Sequence, residues 1–118
     1  MLHIKLFENY ISGKIELIPV EVAPQYRAFD IHINNKKEGI IDVGFYNDDL
    51  KDDEAEIVGI NINKENRERG IGKLAVQQLF KEFPTINGFI VMPTEDSMGF
   101  WKRLGTKPHM NGYLYLRR

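Results

Sequence analysis

The stretch that decides the fold begins Glu54–Ala55–Glu56–Ile57–Val58–Gly59–Ile60–Asn61–Ile62–Asn63. It continues, after three residues, as Arg67–Glu68–Arg69–Gly70–Ile71–Gly72–Lys73–Leu74–Ala75. The first ten residues read as a strand, rich in β-branched side chains. After Gly70 the period lengthens. Ile71, Leu74, Ala75, Leu79, Phe80 and Phe83 recur at helical spacing, and Pro84 stops the run. Between strand and helix, glycines let the backbone approach a ligand with no Cβ in the way. The first N–H groups of the helix have no helical partner, and the dipole makes that end positive. Arg67, Arg69 and Lys73 add charge, so the segment suits a phosphate or pyrophosphate.

Three ligands compete for such a site. A nucleoside triphosphate loop needs a glycine five residues before Gly72 and a Ser or Thr after Lys73, where this chain has Arg67 and Leu74. A dinucleotide fingerprint matches in spacing at Gly70, Gly72 and Ala75. That fingerprint follows the first strand of a long βαβ series, and here several strands precede it with only 46 residues after Gly72. The pyrophosphate of coenzyme A is the third possibility.

Working outward, residues 14 to 22 alternate around Ile15, Leu17, Val20 and Val22, and Phe29, Ile31 and Ile33 alternate with Asp30 and His32. Asn34–Asn35–Lys36–Lys37 supplies turn chemistry, Gly39 to Tyr46 is a further strand, and residues 47 to 53 form an acidic loop. Downstream, Ile86 to Met92 is a short apolar strand. Thr94 is the expected N-cap of a second helix carrying Phe100, Trp101 and Leu104, with Gly105 as its C-terminal cap. Tyr113 to Leu116 closes the chain as a strand. A run of strands followed by β-α-β-α-β is an α+β domain with a mixed, mostly antiparallel sheet flanked by helices.

Composition agrees with one soluble domain over residues 1–118: 42% hydrophobic, 28% charged, net charge −1. That balance argues against a nucleic-acid-wrapping surface, and no apolar run approaches the length of a membrane helix. Residues 1–5 show no apolar leader, so a cytoplasmic location is the expectation. Cysteine is absent, which removes disulfides, thiol nucleophiles and Cys-zinc sites. His3, His32 and His109 have no metal-ligand spacing, so no metal is expected.

Arg67–x–x–Gly70–x–Gly72 resembles the [Q/R]xxGxG/A motif of the GNAT N-acetyltransferase superfamily. Ala55–Glu56–Ile57–Val58, Ile62 and the loop that follows are similar to its histone-acetyltransferase branch at the same spacing. Ser97–x–x–Phe100–Trp101–Lys102–Arg103–Leu104–Gly105 resembles the family's AxxFYxKLG helix. The resemblance spans about Glu54 to Gly105. It implies acetyl-CoA as cosubstrate and a primary amine, on a small molecule or a protein, as acceptor, attacking directly in a ternary complex. It places the pyrophosphate on the backbone of Arg67, Glu68, Arg69, Gly70, Ile71, Gly72 and Lys73. The pantetheine arm would lie along the edge at Ile60 and Ile62, with the Ile60 N–H facing the thioester carbonyl as an oxyanion donor.

The same resemblance puts Glu56 at the family's glutamate position, as general base for an amine that arrives protonated. Glu54 is the reserve. Where the family has a tyrosine this chain has Trp101, whose indole N–H donates a hydrogen bond but releases no proton. Trp101 reads first as a core aromatic, with Tyr113 or Tyr115 as alternative proton donors. The family's first two helices are missing between the first strands. That implies an open acceptor side, completion by a partner such as a second copy in a homodimer, or a non-catalytic acyl-CoA-binding or interaction module that has lost the acceptor site. Residues 48–54 read as a solvated loop, or as a carboxylate cluster attracting a cationic amine.

Overall fold

The computed structural model describes residues 14–64 and 70–118. Four antiparallel strands come first: β1 (Ile15–Ala23), β2 (Tyr26–Ile33), β3 (Lys36–Gly44) and β4 (Glu54–Ile62). Helix α1 (Ile71–Glu82) crosses to β5 (Gly88–Val91), which lies parallel to β4. Helix α2 (Met98–Arg103) leads to the two-residue β6 (Lys107–Pro108) and to β7 (Leu114–Arg117). The sheet order is β1-β2-β3-β4-β5-β7-β6, so the expected mixed, mostly antiparallel α+β architecture is found.

No helix stands between the first two described strands. β1 passes to β2 through Pro24 and Gln25 alone, and the two strands pair directly from Ala23–Tyr26 back to Ile15–Ile33. The first strand runs one residue past the expected Val22 and contains Pro19 in its interior. Asn34 N–H donates to Lys14 O at 3.0 Å, which fixes the alternation of β1. Ile15, Leu17 and Pro19 therefore turn their backbone groups away from β2, along the edge of the sheet formed by the described residues. A proline fits there because no ladder bond needs its N–H. A bulge at Val20 follows at once. Asn34 and Asn35, both at positive φ (52° and 69°), make the tight β2–β3 turn that their sequence predicts.

One face of the sheet carries the core. Leu17, Phe29, Ile31, Ile41, Val43, Ala55 and Ile57 meet Ile71, Ala75, Val76 and Leu79 of α1. Trp101 joins them at 2% exposure, as the core-aromatic reading expects. Burying each large side chain of this kind contributes about 1.5–3 kcal/mol. The buried stripe of α1 differs from the predicted one: Val76 is buried and Leu74 only partly. α1 also meets α2. Gly72 is buried toward α2, where an added Cβ would stand 2.9 Å from the Phe100 ring. The second helix also starts later than expected, with Ser97 as N-cap. Thr94 instead caps the turn before it: its Oγ1 accepts the Ser97 N–H at 3.1 Å. Arg118 closes the other end, donating to the carbonyls of Phe80 and Phe83 at 2.7 Å and lying over the Phe80 ring.

Two predictions follow from local contacts. At Gly39 an added Cβ would stand 2.4 Å from the backbone oxygen of Asn61, which cannot yield without parting β3 from β4. Gly39→Ala is expected to cost about 1–3 kcal/mol by urea denaturation, the range for forced overpacking. The Tyr26 hydroxyl donates to Asp42 Oδ2. That bond, then burial, then the Asp42 charge push its pKa from 10.0 up to about 12. A folded chain thus keeps a proton that the unfolded chain sheds, so this contribution to stability is present below pH ~10 and is lost as pH rises through about 12. Tyrosinate absorbance at 295 nm, compared between wild type and Tyr26→Phe, is expected to show one phenol titrating in that upper range.

Candidate active site

The parallel pairing of β4 with β5 covers four residues, from Glu54–Gly88 to Ile57–Val91, and then ends. Two sequence features end it. Val58 is an extra residue in β4: the register steps from Asp42–Gly59 to Val43–Ile57, a bulge that bends the strand. On the other side, Pro93 follows Met92 and cannot donate to a ladder. β4 continues to Ile62 after β5 has left it.

Asn63 N–H donates to Glu38 O of β3 at 2.8 Å, and the register from Gly59 to Ile62 is continuous. Backbone groups alternate along an antiparallel strand, so Ile60 turns its N–H and C=O away from β3, into the gap beyond Val91. The gap opens at the carboxyl end of β4, the end at which a β-α-β crossover places the N-terminus of its helix.

That helix starts on Gly70, at φ 81° and ψ 4°, a left-handed conformation that favours glycine. Among the described residues no side chain caps the end, and no acidic residue occupies the first turn. The first helical bond runs from Leu74 N–H to Gly70 O, so the N–H groups of Ile71, Gly72 and Lys73 have no acceptor within the helix. Lys73 is exposed, whereas Ile71 and Gly72 are buried. Gly72 thus has a packing role against Phe100 that the motif alone does not disclose. Arg67, Glu68 and Arg69 lie outside the described residues. A groove of about 270 Å³ runs along α1 and brings Lys73 together with Arg103 of α2. Sequence reading had passed over Arg103. The signal available for it was the Lys102–Arg103 pair within the second motif.

One residue before the pairing of β4 with β5 ends, Glu56 is partly buried between Gly44 of β3 and Ile90 of β5. Asn47 Nδ2 donates to Glu56 Oε1 at 3.2 Å and to the Tyr113 hydroxyl oxygen at 3.1 Å. Asn47 and its bonds were not foreseen, because they join residues 66 apart in sequence. Glu54 is elsewhere engaged. It is 7% exposed, accepts the Lys51 N–H at 3.0 Å, and lines a cavity of about 350 Å³ with Tyr115 at the amino end of β4. Burial, Glu54 and Asp53 in that order push the Tyr115 pKa up. Glu54 and Tyr115 therefore form a cluster of their own, at the end of β4 away from the gap. Among the described residues no group of three His, Asp or Glu is arranged to hold a metal. No described helix is long and apolar enough to cross a membrane.

No family model matches the sequence, and no curated protein matches it. Solved structures do. YhhK of E. coli, named as a candidate N-acetyl transferase and solved bound to coenzyme A, aligns at a TM-score of 0.71 and 14% identity, over 89% of this chain and 99% of that one. A Bacillus subtilis acetyltransferase in complex with CoA aligns at 0.64 and 11% identity, over 89% and 99%. Tetrahymena GCN5 aligns at 0.64 and 15% identity, over 80% and 69%. With its parted β4 and β5 and the helix that opens beside them, the chain has the fold of the GNAT acetyltransferases.

Proposed function

We propose that the protein is an acetyl-CoA-dependent N-acetyltransferase acting on a primary amine in a ternary complex. The observation that carries this reading is the backbone edge at Ile60, turned into a gap beside the uncapped N-terminus of α1. An extended acyl-pantetheine arm can add to such an edge as a strand would, by main-chain hydrogen bonds. The pyrophosphate is assigned to the N–H groups of Ile71, Gly72 and Lys73, with Gly70 allowing the approach and the Lys73 and Arg103 charges alongside. Arg67, Glu68 and Arg69 complete that cradle by motif. Acetyl-CoA supplies the electrophilic thioester. Ile60 N–H is the donor for the oxygen on which charge develops, and Glu56 is the base that takes the amine proton.

A second reading, a module that binds acyl-CoA without transferring it, draws on two observations. Trp101 is sealed in the core where the resemblance would place an acid, and no helix intervenes between β1 and β2. A cytoplasmic location and a homodimer remain expectations of the sequence alone.

Titration calorimetry with acetyl-CoA and CoA separates these readings from a plain structural domain. Wild type is expected to bind in the micromolar range and Gly70→Glu to lose binding. Lys73→Glu, exposed and free of the left-handed constraint, is expected to weaken it about tenfold, the effect of reversing one charge contact to phosphate. A well-folded wild type that binds neither ligand overturns both coenzyme readings. Thiol release from acetyl-CoA is then followed with spermidine, lysine amide and a peptide bearing a free N-terminus. Glu56→Gln is expected to spare acetyl-CoA binding and to cut transfer roughly 10²-fold. Binding without turnover of any amine selects the non-catalytic module.

A further inference from the structure

Asn47 is placed to do more than brace a loop. Its Oδ1 accepts the Asp49 N–H at 2.9 Å, which settles the orientation of the amide. Both Nδ2 protons are then directed at functional groups, one at Glu56 Oε1 (3.2 Å) and one at the Tyr113 hydroxyl oxygen (3.1 Å). Because the phenol oxygen is the acceptor in this bond, its own proton is free to point elsewhere. Glu56, Asn47 and Tyr113 come from β4, from the loop after β3 and from the residue before β7. One amide thus sets the spacing between a carboxylate and a phenol that no secondary structure holds together. All three are partly exposed rather than sealed. Met92, at the point where β5 ends, lies near Gly112, so Tyr113 stands on the same side of the molecule as the gap.

We infer that Asn47 is the positioning residue of the acceptor site and that Tyr113 is its second contact, so that the incoming amine is held between the Glu56 carboxylate and the Tyr113 hydroxyl. This rests on the transferase reading. The bonding balances: the amine lone pair attacks the thioester carbon, the C–S bond breaks with its electrons on sulfur, and the amine proton goes to Glu56. Tyr113 exchanges no proton in that step and only orients the nitrogen. Among the described residues, the Asn47 N–H is the side-chain donor that Glu56 accepts.

The test uses the full chain, acetyl-CoA and whichever of the three amines above is turned over. Tyr113→Phe is expected to raise the KM of the amine about tenfold with acetyl-CoA binding unchanged. Asn47→Ala is expected to lower kcat about tenfold as well, the scale of one hydrogen bond to a charged group. Asn47→Asp keeps the size, removes the donor and is expected to act on kcat and amine KM in the same direction. A merely structural Asn47 would lower the urea midpoint and leave the amine KM of the folded enzyme unchanged. If wild type turns over an amine and these variants leave amine KM and kcat unchanged, this inference falls and the transferase reading stands. If wild type binds acetyl-CoA and acetylates none of the amines, both fall together.

Discussion

Everything proposed for this molecule depends on two parallel strands that stay together for four residues and then part. A parallel ladder has no intrinsic reason to stop where β4 and β5 stop. The bulge at Val58 bends one strand, and Pro93 denies the other a donor one step past Met92. Without the bulge β4 would run straight beside its neighbour, and the Ile60 backbone would be spent on the sheet. The gap is held open by the elements around it. Phe100 rests in the space left by Gly72, Trp101 is locked in the core, and Arg118 ties the far end of α1 to β7. A backbone edge inside a folded domain, left without a strand partner, is costly unless water or a ligand satisfies it.

The anion end of α1 shows how one residue can serve two constraints. Gly70 is fixed by backbone geometry, since a left-handed N-cap excludes most side chains. Gly72 is fixed by packing, because any Cβ would press on Phe100. Both glycines would stand in this sequence even if the helix bound nothing. The motif alone therefore cannot separate a ligand cradle from a tight helix junction. What favours the cradle is the lack of a competing cap among the described residues: none of their side chains takes the first N–H groups, and no acid sits in the first turn.

Much of this was legible in the sequence, for reasons that can be stated. β2, β3 and β4 alternate because one face is buried, α1 repeats at helical spacing because it covers that face, and Asn34–Asn35 can take the positive φ a tight hairpin requires. The elements misjudged are those set by distant partners. Pro19 reads as a strand breaker unless its backbone is known to face away from β2. Val76 is buried although the helical spacing of the larger apolar residues leaves it out. Thr94 looks like a helix cap and instead caps the turn before the helix. In the candidate site, Glu56 was singled out because its strand resembles that of a family, whereas Asn47 was not singled out at all. Its significance lies in a bond to Tyr113 across 66 residues, and no local pattern carries that.

The burial of Trp101 bears on which group such a site could least spare. A free amine acceptor has a pKa of ~10.4, so near neutrality only a small fraction of it is nucleophilic, and a base is required. A thiol has a pKa of ~8.5, so a departing thiolate is tolerable without an acid at hand. Under the transferase reading, a buried indole where the resemblance would place a tyrosine therefore gives up only the less demanding of the two proton transfers. The chain keeps a carboxylate on β4, partly exposed and held by a fixed amide. That asymmetry is the reason the loss of an acid weighs less against catalysis in this fold than the presence of Glu56 weighs for it.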